Sequence, residues 1–398
     1  MNNTAINNTA FAKEQTKPGY KKTKLGWIPE EWKILKLEDV ARFKNGKGHE
    51  KLIDEDGDFY LVNSKFVSTE GLVFKKTNSQ LVPLEKDNIA IVMSDIPNGR
   101  AIAKCFYVNE SNKYTLNQRI GGLTTKGIDS KYLFYSLNRN RYYLKFDDGV
   151  KQTNLRKQQV LDCPLRIPPL PEQQKIANIL NTWDKAIAAQ EQLIAQKQAL
   201  KKGLMQALLT GKKRFDGFTE EWEEVKLKEV FTLSSGKTKP KNTYEKPSTK
   251  HSIPVYGGNG ISGYTDSIFS KGKVILIGRV GEYCGVVHYV DNDIWITDNC
   301  LYTKSFSKKD NILFFAFLLE YYKLDRLRNK GGQPLVSQKP ILNFKLKKPK
   351  LEEQKKIADV LSSKNKEIDI LKEKVEHLKT QKQGLMQQLL TGEKRVKI

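Results

Sequence analysis

The sequence predicts an α+β protein: two mixed domains joined by two long helices that form an antiparallel coiled coil, with a pseudo-two-fold internal repeat. Three observations carry this. Residues 171–211 recur as residues 352–392 without a gap, so that Glu172 pairs with Glu353 and Gly203 with Gly384. Both copies keep one apolar stripe in alternating steps of three and four, the rhythm of a coiled coil. A second set of matched motifs precedes each copy, so the repeat is larger than the helix and should be settled before any local reading.

In chain order, residues 1–18 are polar and expected to be disordered. Residues 19–167 form the first domain, 168–211 the first long helix, 212–348 the second domain and 349–398 the second long helix. The first domain opens with Trp27, Trp32 and Asn45-Gly46-Lys47; the second repeats this as Trp222 and Ser235-Gly236-Lys237. The first domain is the longer one, and its extra residues fall between Lys47 and Thr115. Within the domains, short β-rich runs (59–62, 89–93, 273–277 and 286–290) alternate with Gly-Gly, Asn-Gly and Asp-Gly turns. A helix is expected over 129–144 and its cognate over 310–327. Each is followed by a glycine- and glutamine-bearing loop and a last strand.

Both long helices carry matching punctuation. Prolines precede them and glutamates open them, where the helix dipole favours negative charge. Thr-Gly closes them, glycine suiting the left-handed cap. Each has roughly 38 residues, about 57 Å at 1.5 Å per residue. So narrow a stripe on so long a helix needs a partner, and the twin helix supplies it. The expected helix-pair core is Leu180, Trp183, Ile187, Ile194, Leu204 and Leu208 with Leu361, Ile368, Leu371, Val375, Leu378, Leu385 and Leu389. Gly203 and Gly384 lie inside the helical pattern, at a cost of about 1 kcal/mol relative to alanine. They are either tolerated or mark the close approach of another backbone.

The chain carries 69 basic against 45 acidic residues, a net charge of +24, which points to a polyanionic partner. No apolar run approaches the roughly 18 residues needed to span a membrane. The start lacks a secretory core, so a cytoplasmic location is expected. Four scattered cysteines and four histidines form neither a zinc site nor a disulfide framework, and no metal site is expected. There is no phosphate-binding Gly-x-x-x-x-Gly-Lys-Ser/Thr, no Gly-x-Gly-x-x-Gly and no Asn/Asp-Pro-Pro-Tyr/Phe, so no catalytic residue is assigned. Glu224-Val225-Lys226 after Asp216 matches a metal-dependent nuclease triplet, but such matches are common in so charged a chain; Asp54–Asp58 resembles a calcium loop only superficially, since the distal glutamate is missing, and reads as a solvated acidic turn.

Two similar basic domains on a helix pair match the symmetry of a duplex read at two half-sites. Because the halves differ, so should the half-sites. The layout resembles the specificity subunit of a type I restriction–modification system over essentially the whole chain. Pro168-Pro169-Leu170-Pro171-Glu172-Gln173 with Ile176-Ala177 resembles that family's helix start. Gly203-Leu204-Met205-Gln206 with Leu208-Leu209-Thr210-Gly211 resembles its helix exit. Residues 253–260 (IPVYGGNG) and 295–299 (WITDN) resemble segments of its target-recognition domains. The second helix lacks the proline equivalent to Pro171, and Glu352 stands there instead.

The resemblance implies a non-catalytic DNA-specificity subunit reading a bipartite, asymmetric target, with one half-site per recognition domain and the helix pair as spacer. It implies two methyltransferase (modification) subunits and restriction (translocase/nuclease) subunits as partners of the chain on double-stranded DNA. S-adenosylmethionine, ATP and Mg would belong to those partners, with no cofactor in this chain. Candidate DNA contacts are cations and amides on loops. In the first domain they are Lys44, Lys47, Lys65, Arg100, Lys104, Asn117, Gln118, Arg119, Lys151, Gln152 and Asn154. In the second they are Lys237, Lys239, Lys241, Asn259, Arg279, Asn299, Lys330, Gln333 and Lys339. The alternative is a coiled-coil interaction scaffold with sequence-blind, salt-sensitive nucleic-acid binding.

Overall fold

The computed structural model describes residues 17–329 and 331–398; the expected disordered tail, apart from Lys17 and Pro18, lies outside the described residues, as does Lys330. Both domains are built on the same antiparallel four-stranded sheet. In the first, the order is Cys105–Tyr107, Ile89–Val92, Ile120–Thr125, Ala41–Asn45. In the second it is Val287–Asp291, Lys273–Gly278, Cys300–Phe306, Phe231–Ser235. The central strands, Ile89–Val92 and Lys273–Gly278, are almost wholly buried, which explains their unbroken aliphatic runs.

A second small sheet repeats as well. Phe59–Val62 runs parallel to Tyr114–Leu116, and Ile253–Gly257 runs parallel to Trp295–Ile296. A third pairing ties the start of each domain to its last strand: Lys33–Lys36 with Pro164–Ile167, and Glu223–Lys226 with Lys345–Lys348. Lys47 bridges to Asn117 and Lys237 to Thr297, so the first domain's extra residues lie between those points. They include the short helix Ser64–Ser68, which stands where the second domain has only the tight turn between Ile253–Gly257 and Gly260–Thr265.

Neither expected helix after the sheet is continuous. The first splits into Ser130–Leu137 and Arg141–Leu144, because Arg139 takes a left-handed φ of 56°. Asn138 accepts from the Cys105 backbone N–H, and Asn140 caps the second piece by accepting from Tyr142 N–H. The second splits into Ile312–Tyr322 and a 3-10 turn, Leu324–Leu327, around Lys323 at φ 53°. In the first break Asn140's local bond to the backbone competes with helix propagation, while Asn138 is drawn away to Cys105.

The long helices run Leu170–Leu209 and Leu351–Thr391. The chain forms two compact units, Met1–Ala188 with Glu376–Ile398, and Ala189–Val375. These cut through both helices, so each unit combines one domain with half of each helix. In the first unit Leu180 shares a core with Leu385 and Leu389; in the second Leu204 and Leu208 share one with Ile357 and Leu361. The start of one helix thus packs on the end of the other, which makes the pair antiparallel. Leu180, Ile187, Leu208, Leu361, Ile368, Val375 and Leu389 are buried, and Trp183, Ile194, Leu204, Leu371, Leu378 and Leu385 are half-buried. A Cβ at Gly203 or Gly384 would meet nothing within 4 Å, so no backbone of this chain approaches either glycine.

Each helix start is held by the other helix's exit. Glu172, fully buried, accepts from Arg395 Nε at 2.7 Å and Nη2 at 3.0 Å, and from Trp32 Nε1 at 3.0 Å. The repeat places Arg214 on Glu353 at 3.0 and 2.7 Å. The neighbouring glutamines act alike. Gln173 donates to Pro168 O and accepts from Asp129 N–H; Gln354 donates to Pro349 O and accepts from Asn311 N–H. Gly211 and Gly392, at φ 69° and 75°, turn the chain so that these arginines can reach back. Trp222 Nε1 is buried without a partner, so the second clasp lacks the bond that Trp32 makes in the first.

Removing Arg395 would strand a buried carboxylate. The usual penalty for such a loss must be discounted because the guanidinium is about a third exposed, leaving about 2 kcal/mol. Arg395→Ala should lower unfolding stability by that amount in denaturant titration, and adding Glu172→Gln should recover part of it. An Arg395→Ala protein as stable as its parent would contradict the clasp.

Candidate nucleic-acid interface

At one end of each main sheet the backbone follows the same path, closed by the same hydrogen bonds. Gly46 N–H donates to Ile120 O, and Gly236 N–H to Cys300 O. Met93 N–H donates to Arg119 O, and Arg279 N–H to Asn299 O. Leu155 N–H donates to Met93 O, and Val336 N–H to Arg279 O. Four segments therefore meet in one rim per domain: the end of the first sheet strand, the end of the central strand, the turn before the strand between them, and the loop after the helix.

The glycine in Asn45-Gly46-Lys47 and Ser235-Gly236-Lys237 has a steric reason. A Cβ on Gly46 would lie 1.8 Å from Asn117 O, and one on Gly236 2.3 Å from Thr297 O. Only glycine lets the strand end pass this close to the opposing turn. Gly258 at the 257–260 hairpin tip is tight as well, its Cβ position 3.2 Å from Asn299 O. At matched points, Asn117 Oδ1 and Thr297 Oγ1 are buried side-chain oxygens without a partner.

The rim of the first domain brings together Lys47, Asn117, Gln118, Arg119, Gln152 and Asn154, with Arg100 and Lys151 on the loops that adjoin it. The rim of the second brings together Lys237, Arg279, Asn299, Gln333 and, through its hairpin, Asn259. Lys47, Arg100, Arg119, Lys151 and Lys237 are exposed. Arg119 holds φ 66°, which fixes the turn that carries it. Asn154 Oδ1 accepts from Ser94 Oγ at 2.7 Å, and Arg279 donates to Ser235 Oγ at 3.3 Å, so both side chains are braced before any ligand arrives.

Several sequence candidates are engaged inside the fold instead. Lys44 Nζ donates to Pro83 O at 2.5 Å, and burial pushes its ammonium below the ordinary lysine range. Lys104 donates to Ser68 O and pairs with Glu70 at 3.1 Å. Lys239 donates to Ser262 O. Gln118, though on the rim, donates to Glu50. Lys65 is exposed on the short helix Ser64–Ser68, and Lys241 and Lys339 are exposed further along the chain from the rim bonds. Sequence reasoning missed Ser94, Asp95 and Asn98, which shape the first rim; the Asn98-Gly99 turn was the available signal.

The four cysteines are free and buried, and burial pushes the Cys163 and Cys300 thiols up to about 12, far from thiolate at neutral pH. Among the described residues, no group of three His, Cys, Asp or Glu is placed to hold a metal ion. Glu224 pairs with Lys345 on an exposed strand, where the lysine holds its carboxyl below the ordinary range. Asp54 accepts from Asp56 N–H and Asn78, as in an ordinary polar turn. No helix among the described residues is long and apolar enough to cross a membrane.

Each half thus repeats one α+β frame with cations and amides on its rim, the layout of a protein built from two like modules. The model of the type I restriction modification DNA specificity domain matches twice, over residues 29–197 and 219–380, and the chain belongs to that family. It is 26% identical over 412 residues to the type I restriction enzyme MjaVIII specificity subunit of Methanocaldococcus jannaschii, covering 93% of this chain and 94% of the relative. A putative MjaX specificity subunit from the same organism is 25% identical over 426 residues, covering 97% and 98%. The crystal structure of the type I system S subunit from M. genitalium shares the fold, with a TM-score of 0.65 at 18% identity over 90% of this chain and 96% of that one.

The geometry separates rim residues from engaged ones. Arg119→Ala should weaken duplex DNA binding several-fold and flatten its salt dependence, whereas Lys104→Ala should leave both unchanged in a titration across salt concentrations. Equal losses for the two variants would show that the rim is not the contact surface.

Proposed function

We propose that this chain is the non-catalytic DNA-reading subunit of a type I restriction–modification complex. The observation that carries the reading is the doubled rim: the same backbone frame, presented once per domain, with different side chains on it. Each rim would read its own half-site of a bipartite, asymmetric target. The frame positions arginine, lysine and amide groups, of which some hold phosphates and others read base edges. The helix pair would space the half-sites, its length exceeding one turn of B-DNA, about 34–36 Å.

Two methyltransferase subunits and the restriction subunits would assemble on the helices in the cytoplasm. S-adenosylmethionine, ATP and Mg would belong to those partners. Gly203 and Gly384 support one docking point per modification subunit: each is exposed in the last two turns of its helix, and nothing from this chain covers it. An interior glycine that costs about 1 kcal/mol is useful where a partner's backbone comes close.

Base-resolved sequencing of methylated adenines in host DNA, with the gene present and deleted, tests the reading. Deletion should abolish one split motif with a fixed gap. Retention of every methylated motif, in a host whose modification subunit is expressed, would overturn it.

A further inference from the structure

Beyond the cations and amides of the first rim, two aliphatic side chains stand in solvent. Ile96 is 70% and Val150 76% exposed, and neither belongs to a core. They sit at the tips of two loops that leave the rim side by side, where Ser94–Asp95 pairs with Thr153–Asn154. Asn98 Nδ2 donates to Gly149 O at 3.0 Å, tying the two tips together.

Both loops are braced from within. Asp95 accepts from the backbone N–H groups of Ile96, Ala101 and Ile102 at 2.9, 2.6 and 2.9 Å. A Cβ on Gly99 would strike that carboxylate at 2.2 Å. Asp148 accepts from Val150 and Lys151 N–H, and Asp147 from Gly149 N–H and Thr153 Oγ1. These bonds hold the aliphatic tips outward instead of letting them fold back. A rigid pair of exposed aliphatics, flanked by Arg100 and Lys151, is suited to a polyanion that also offers apolar groups. Duplex DNA does so in its major groove, through the thymine C5-methyl.

Resting on the DNA-reading function above, we propose that Ile96 and Val150 contact a thymine methyl in the half-site of the first domain and contribute to its sequence preference. The second rim carries a different apolar group at the matching loop. Tyr283, 45% exposed, stands between Gly281 and Gly285 in a turn tied to Pro334 O through Gly281 N–H. Its substitution should act on the other half-site alone.

The test uses the full chain assembled with its modification subunits and a duplex carrying the methylated motif. Thymines of each half-site are replaced one at a time by deoxyuridine, which lacks only the methyl. Wild type should lose about tenfold in affinity at one first-half position. The Ile96→Ser/Val150→Ser variant should lose about tenfold on the intact duplex, nothing further on that deoxyuridine duplex, and nothing on random DNA. Ile96→Val should bind as wild type, and Tyr283→Ser should leave the first-half deoxyuridine penalty unchanged. Wild-type affinity in the serine variant, an equal loss on random DNA, or additive penalties would overturn the proposal. If wild type fails to distinguish the motif from random DNA, the DNA-reading function falls, and this contact with it.

Discussion

A buried carboxylate at the start of each long helix is the constraint on which the rest of the molecule depends. Glu172 and Glu353 are almost fully removed from water, where an unpaired charge would be prohibitive. Each is neutralised by a bidentate arginine from just beyond the end of the other helix. This one requirement fixes the helix pairing as antiparallel, sets its register and makes the glycine caps necessary. It also brings Trp32, at the start of the chain, to the residues at its end. Tyr20 adds a bond from its hydroxyl to Gly392 O at 3.0 Å. In the second half the same junction is covalent, because residues 210–222 lead directly from helix to domain.

On this scaffold the rims divide labour between frame and content. The frame is backbone: matched N–H···O bonds and glycines that no other residue could replace without a clash. The content is side chain, and differs freely between the halves. Where the first rim has Arg119, the second has Asn299; where the first has Met93, the second has Arg279. Changing rim side chains therefore need not disturb the sheet beneath.

Much of this was legible in the sequence because repetition is insensitive to local propensity. The constant offset between the helix copies, the heptad stripe and the paired Asn/Ser-Gly-Lys motifs are enough to lay out the repeated architecture. Local competition was harder to read. The aromatic-rich stretch 129–144 has helical composition, yet Asn138 and Asn140 bond the backbone and break it. Lysines looked alike on paper, but Lys44, Lys104 and Lys239 are held by carbonyls that only the tertiary fold brings near. The clasping arginines were missed although Lys213-Arg214 and Lys394-Arg395 repeat at the helix offset. Their partners stand well over a hundred positions away, and sequence spacing says nothing about a contact at that distance.

If each rim reads its own half-site, the two halves are independent. The methylated motif produced after residues 219–348 are exchanged for the second domain of another member of the family, helices intact, tests this. One half-site should be new, while the other half-site and the gap are kept. A change in both half-sites would contradict independent reading.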